Sequence, residues 1–276
     1  MSKLQKFYAS ESVVSVSDTS VVSIRSGFRT VLADSAGTIS LHKYLSGQLP
    51  YFYRKMESIV EDFESEHNAL ELMLDLMGTA PATQSFRNSH GAEILAAHHI
   101  QEKLKYRRLY SKLTMTTSQD TNAHKMDALF VDTSKHPYEY IFVEAKSSIL
   151  PTALTKTKSH RSGILNHMIS SLTAYKLEEP RMELIRIREN LQFGFADDER
   201  KQILNDLRAP GPELRYIGIS VTNSNTINEK DDDFILSIPC GVEFDYHALV
   251  VTDLESLAKD AYSIWDAVKA AIKAAK

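Results

Sequence analysis

The chain has 276 residues, 43% of them hydrophobic and 25% charged, which suits a globular protein with one large domain or a core carrying a smaller unit. Its formal net charge of −4 argues against a protein that coats nucleic acid by bulk charge, and a lone cysteine, Cys240, leaves no intrachain disulfide and points to a reducing, cytoplasmic compartment. No apolar run approaches the ~18 residues of a membrane span, Met1 to Ser10 lacks the apolar stretch of a secretory signal, and no phosphate-binding Gly-x4-Gly-Lys-Ser/Thr loop is present, so any need for ATP would fall to a partner.

Taken in chain order, residues 13–31 alternate β-branched and polar side chains and read as one or two half-exposed strands. Residues 40–77 are mostly helical, with a break at 47–50, and Gly78 and Pro81 stop them. A second helix is predicted over 91–104, with Ser89 as its N-cap and Glu93 in its first turn. Three strand-like runs follow at 109–117, 125–131 and 139–147, the last two separated by turn-forming residues 132–137. Two long helices, 152–177 and 180–207, lead to Pro210-Gly211-Pro212. Strands at 214–221 and 242–251 and a final Ala/Lys-rich helix from Leu254 complete the pattern. Trp265 in that helix marks it as a docking element for the rest of the fold or for a partner. The order suits a mixed α/β (α+β) sandwich.

Chemistry concentrates in the hairpin formed by 125–131 and 139–147. A turn centred near Lys135 places Asp127 opposite Glu144, and Glu144 and Lys146, two residues apart, share a face. Opposed carboxylates repel and destabilise a sheet. A core strand carrying Ile141-Phe142-Val143 has little reason to hold such a pair beside a lysine unless a cation binds there. Mg²⁺ (or Mn²⁺) suits a few carboxylates completed by water and phosphate oxygens. Asp127 and Glu144 are the expected direct ligands, with the Ala145 carbonyl as a third oxygen. Glu93 would reach the metal through a water or a second ion, and Lys146 would orient the attacking water and offset charge on the phosphorane.

The run His90-Gly91-Ala92-Glu93-Ile94-Leu95, then Ser111 to Thr117, then Met126-Asp127-Ala128-Leu129 and Val143-Glu144-Ala145-Lys146, resembles the PD-(D/E)XK nuclease superfamily. More narrowly it is similar to HamA, the nuclease subunit of the Hachiman anti-phage defence system. The resemblance spans roughly residues 89–148 and continues more faintly through the long helices. It implies a restriction-endonuclease-like mixed central sheet flanked by helices, and Mg²⁺-dependent DNA cleavage controlled by an ATP-dependent helicase partner (HamB-like). It carries metal roles onto Asp127 and Glu144, the lysine role onto Lys146 and an accessory acid role onto Glu93. Family members often have an aromatic residue after the lysine, whereas Ser147-Ser148 follow here. The expected organisation is one nuclease domain over 1–276, with strands and helices of 1–85 packing on a core of 86–276.

Two basic runs flank the hairpin. Lys105, Arg107, Arg108 and Lys112 follow the Glu93 helix, and Lys156, Lys158 and Arg161 follow the Glu-Ala-Lys strand. Both are expected to contact DNA phosphates without reading sequence. His90, His98 and His99 do not make a zinc set, because no cysteine pair accompanies them and adjacent residues on a helix cannot face one ion. The acidic segment 229–233 lacks the glycine and terminal glutamate of a calcium loop. The reading from another class is a non-catalytic DNA- or partner-binding subunit that retains the nuclease fold.

Overall fold

The computed structural model describes residues 3–13, 24–54, 59–61, 64–65, 69–78, 80–115, 127–150, 164–178, 181–189, 191, 194–208, 210–226 and 242–275. Its strands are β1 (Tyr8–Val13), β2 (Ile24–Leu32), β3 (Ser35–Ala36), β4 (Ile39–Ser40), β5 (Arg107–Ser111), β6 (Ala128–Asp132), β7 (Glu139–Ser148), β8 (Leu214–Asn223) and β9 (Phe244–Val251). Seven of them form one mixed sheet in the order β1-β2-β9-β8-β7-β6-β5. The four central strands, β2, β9, β8 and β7, run parallel, and antiparallel pairs finish both edges. Parallel strands need cover on both faces. The sequence supplies it with near-continuous apolar runs, and all eight residues of β9 are buried.

The helices are α1 (Leu41–Gln48), α2 (Pro50–Tyr53), α3 (Ala69–Gly78), α4 (Gln84–His99), α5 (Ile164–Glu178), α6 (Arg181–Glu189), α7 (Asp197–Asp206) and α8 (Leu254–Ala275). Alternation along each strand divides the core in two. Phe130, Ile141, Val143, Ile217 and Ile219 join α1, α4 and α8 on one face. Leu129, Tyr140, Phe142, Phe244 and Tyr246 join α5, α6 and α7 on the other. This is the mixed α/β sandwich expected, a central sheet between helical layers. No described helix is long and apolar enough to cross a membrane.

The structure revises several predicted elements. The Glu93 helix begins at Gln84, not near Gly91, so Ser89 is an interior residue and not an N-cap, and Glu93 lies well inside the helix. The segment predicted as one long helix over 180–207 is two, α6 and α7. The strand expected over 109–117 is β5 at Arg107–Ser111, followed by a 3-10 turn at Lys112–Met115. The C-terminal helix does dock on the fold. The Trp265 indole N–H donates to the Ser46 carbonyl at 3.1 Å, and Tyr262 bonds Tyr53 through their hydroxyls at 2.5 Å.

Candidate functional site

The β6–β7 hairpin folds with the register the sequence suggests. Ala128 pairs with Val143 and Asp132 with Glu139, so Asp127, one residue before β6, stands opposite Glu144. On the other side Ser111 pairs with Ala128, which places Lys112 opposite Asp127, and the Lys112 amide donates to the Asp127 carbonyl at 3.0 Å. Glu144 in turn pairs with Gly218 on β8. A row of lysine, aspartate, glutamate and glycine therefore crosses four strands at one end of the sheet.

Every acid in the set is buried: Glu144 is 1% exposed, Asp127 5% and Glu93 9%. Their partners account for most of their oxygens. Asp127 Oδ2 accepts the Ala145 amide at 2.7 Å, and Oδ1 accepts the Lys112 ammonium. The same ammonium lies 2.9 Å from Glu93 Oε1. Ser89 donates to that oxygen at 3.4 Å. Lys146 pairs with Glu144 Oε1 at 2.5 Å. Two oxygens remain buried with no hydrogen-bond partner among the described residues, Glu93 Oε2 and Glu144 Oε2. Leaving such groups unsatisfied is costly.

The electrostatics follow from this crowding. Burial pushes the Glu93 carboxyl up to about 7; Lys112 opposes the shift and the Asp127 charge adds to it. Burial raises Glu144 to about 8, with Asp127 adding to the shift and Lys146 opposing it. For Lys112 burial disfavours the charge, but Asp127 and Glu93 outweigh it and the ammonium is held well above its ordinary range. Paired titratable groups with displaced pKa values in one spot are a mark of functional sites.

The oxygen-only donor set suits a hard divalent ion, and the two orphaned oxygens are what such an ion would satisfy. Among the described residues no three His, Cys, Asp or Glu side chains stand in a ready metal-holding arrangement. The Lys112 ammonium lies between Glu93 and Asp127 and pairs with both. Mg²⁺ tolerates one or two carboxylates with water and substrate oxygens completing the shell, so the residues present fit.

Glu93, Asp127, Glu144 and Lys146 are thus brought together, and Lys112 joins them from an unexpected direction. Its side chain is 13% exposed and engaged inside the site, not presented as a surface cation. Arg108 also turns inward: its guanidinium lies 3.8 Å from the centre of the Phe52 ring and donates to the Tyr51 carbonyl at 3.0 Å. Arg107 pairs with Glu199 at 2.8 Å and stacks on Phe195. Lys105 is exposed. Lys156, Lys158 and Arg161 lie outside the described residues, as does the acidic segment 229–233.

The histidines do not gather at this site. His90 bonds the Tyr53 hydroxyl at 2.8 Å. His99 links the Tyr8 hydroxyl at 2.8 Å to His247 at 3.0 Å. His98 packs against Tyr44 and Phe52. Burial holds the His98 imidazole down at about 3 and His247 at about 4, which fits neutral core histidines.

Among curated proteins none matches the chain's sequence. A family model described as HamA matches residues 13–266, nearly all of it. The chain belongs to the HamA family, and with it to the proteins of Hachiman anti-phage defence.

Proposed function

We propose that the chain is a divalent-metal-dependent deoxyribonuclease of the PD-(D/E)XK type, restrained by an ATP-dependent helicase partner until infection. The observation that carries this reading is the convergence of Glu93, Asp127 and Glu144 with Lys146, buried, with two carboxylate oxygens orphaned. Asp127 and Glu144 would hold Mg²⁺ or Mn²⁺, with the Ala145 carbonyl beside them and Glu93 completing the acid set. The ion, when bound, supplies Lewis acidity toward the scissile phosphate. Asp127 is fixed for this task by the Ala145 amide. Lys146, anchored on Glu144 at the partly exposed side of the set, orients the attacking water and offsets charge on the phosphorane. Phosphate contacts from Lys105 and from the run Lys156, Lys158 and Arg161 would give affinity without sequence preference.

One observation favours a second reading. Lys112 already pairs with both Glu93 and Asp127 without a metal, an arrangement that a non-catalytic DNA- or partner-binding subunit could keep. Supercoiled-plasmid cleavage separates the two. The chain is assayed with Mg²⁺ or Mn²⁺, with and without EDTA, against a Glu144→Ala/Lys146→Ala variant, and with and without the helicase encoded beside it. The nuclease reading expects metal-dependent cutting that the variant lacks and the helicase restrains. Intact DNA binding with no cutting under any condition would establish the non-catalytic subunit.

A further inference from the structure

We propose that Lys112 is the internal counter-cation of the candidate metal centre, holding Glu93 and Asp127 together in the metal-free chain and leaving the point between them when a divalent ion binds both. The inference rests on the metal-centre reading above and assigns to Lys112 a role that differs from surface contact with DNA.

The placement follows from the sheet. Strand register sets Lys112 directly opposite Asp127, and the backbone bond between them fixes the lysine's Cα at the end of β5. The side chain runs between an aspartate on the hairpin and a glutamate from α4. Its ammonium meets one oxygen of each. Two carboxylates from separate elements converging on one nitrogen define a cation position. A divalent ion binds such oxygens at ~2.1 Å, so it needs the same gap drawn slightly tighter. The Ala145 amide donates to the second Asp127 oxygen at 2.7 Å and orients the first toward this point. The lysine is the movable partner: its flexible stem starts in a 3-10 turn, and its side chain retains 13% exposure.

Charge gives a second argument. Glu93, Asp127 and Glu144 face the ammonium groups of Lys112 and Lys146, which leaves one negative charge over when all are ionised. Exchanging the Lys112 ammonium for a divalent ion brings the set to neutrality. Lys112 occupies the oxygens of Glu93 and Asp127 that the ion would take, whereas Lys146 pairs with Glu144 and can stay. The ion and the ammonium are therefore alternatives.

Mn²⁺ binding to the full chain tests this, read by electron paramagnetic resonance for the native protein, Lys112→Met and Lys112→Arg. Lys112→Met keeps the stem and removes the competing charge, so it should bind Mn²⁺ about tenfold more tightly, whereas Lys112→Arg should not. Equal or weaker binding by a folded Lys112→Met would overturn the counter-cation role while leaving the metal centre intact. Absence of Mn²⁺ binding in every form would overturn the metal centre and the inference with it. A second readout needs no variant. Lysine acylation of the native chain, followed by mass spectrometry, should show Lys112 labelling rise several-fold when Mn²⁺ is added while exposed lysines stay constant. Unchanged Lys112 labelling alongside demonstrated Mn²⁺ binding would contradict the exchange.

Discussion

Glu144 shows most plainly what the site costs the fold. It is almost wholly buried, faces Asp127 across the hairpin, and is pushed up to about 8 from an ordinary 4.5 by burial and by that neighbour. A carboxyl whose folded pKa is raised contributes stability that is present below its unfolded pKa and lost as pH rises through the folded one. For Glu144 that window runs from about 4.5 to about 8, and for Glu93 from about 4.5 to about 7. Glu144→Gln, which fixes the neutral form, should therefore raise the Tm of the metal-free chain by several degrees above about pH 8 and change it little near pH 4.5. Thermal melts across that range in EDTA check this. A uniform loss of Tm at every pH would show that the Glu144 charge is not under strain. The Asp127–Glu144 pairing was legible in the sequence, because turn residues between two apolar runs fix a hairpin centre. Lys112 was not. Its place depends on the register of β5 against β6, which shifts between Arg108 and Tyr110, and no local pattern announces such a shift.

At the scale of elements, α4 and β8 decide whether the row of side chains can form. The sequence around 84–89 is rich in Ser, Asn and Gln, which favour caps and turns over helix interiors. Tertiary contacts override that preference. Arg87 bonds the Pro81 carbonyl at 3.0 Å and pairs with Asp266 of α8 at 2.9 Å, so the helix starts early and carries Glu93 within its length. Gly91 faces α1 and α8, where a Cβ would make ordinary contacts, 3.4 Å from a Leu45 methyl and 3.7 Å from the Ala258 methyl. Gly218, the cross-strand neighbour of Glu144, is more constrained. A Cβ would stand 2.3 Å from Met168 Sδ and 3.2 Å from the Phe244 ring. Gly218→Ala should thus cost ~1–3 kcal/mol by overpacking, measured by urea unfolding. Met168→Ala in the same chain should recover part of that loss, giving clear non-additivity. Independent, additive effects would mean that α5 does not press on β8 at this point.

Across the whole molecule, residues far apart in sequence close one layer. The Trp265 indole, near the C-terminal end of the family match, hydrogen-bonds α1 and stacks edge-on near Tyr53. Trp265→Ala should destabilise the chain by ~3–5 kcal/mol in denaturant unfolding. A loss below ~1 kcal/mol would mark α8 as a peripheral element, free to serve a partner instead. The layered α/β order was readable from alternating apolar strands and helical stripes. The in-sheet place of β2 between β9 and β1 was not, since parallel pairing across more than 200 residues leaves no local trace.

Under the proposed nuclease function the buried carboxylates serve phosphodiester hydrolysis and are more than a structural cluster. Asp127→Asn tests it most directly, because the amide oxygen can keep the Ala145 hydrogen bond while the charge is lost. Initial plasmid nicking rates at saturating Mg²⁺ should fall ~100-fold or more in this variant, with its circular dichroism spectrum unchanged. A rate within about twofold of the native chain would contradict the account, because chemistry that ignores the charge at Asp127 is not run from this site.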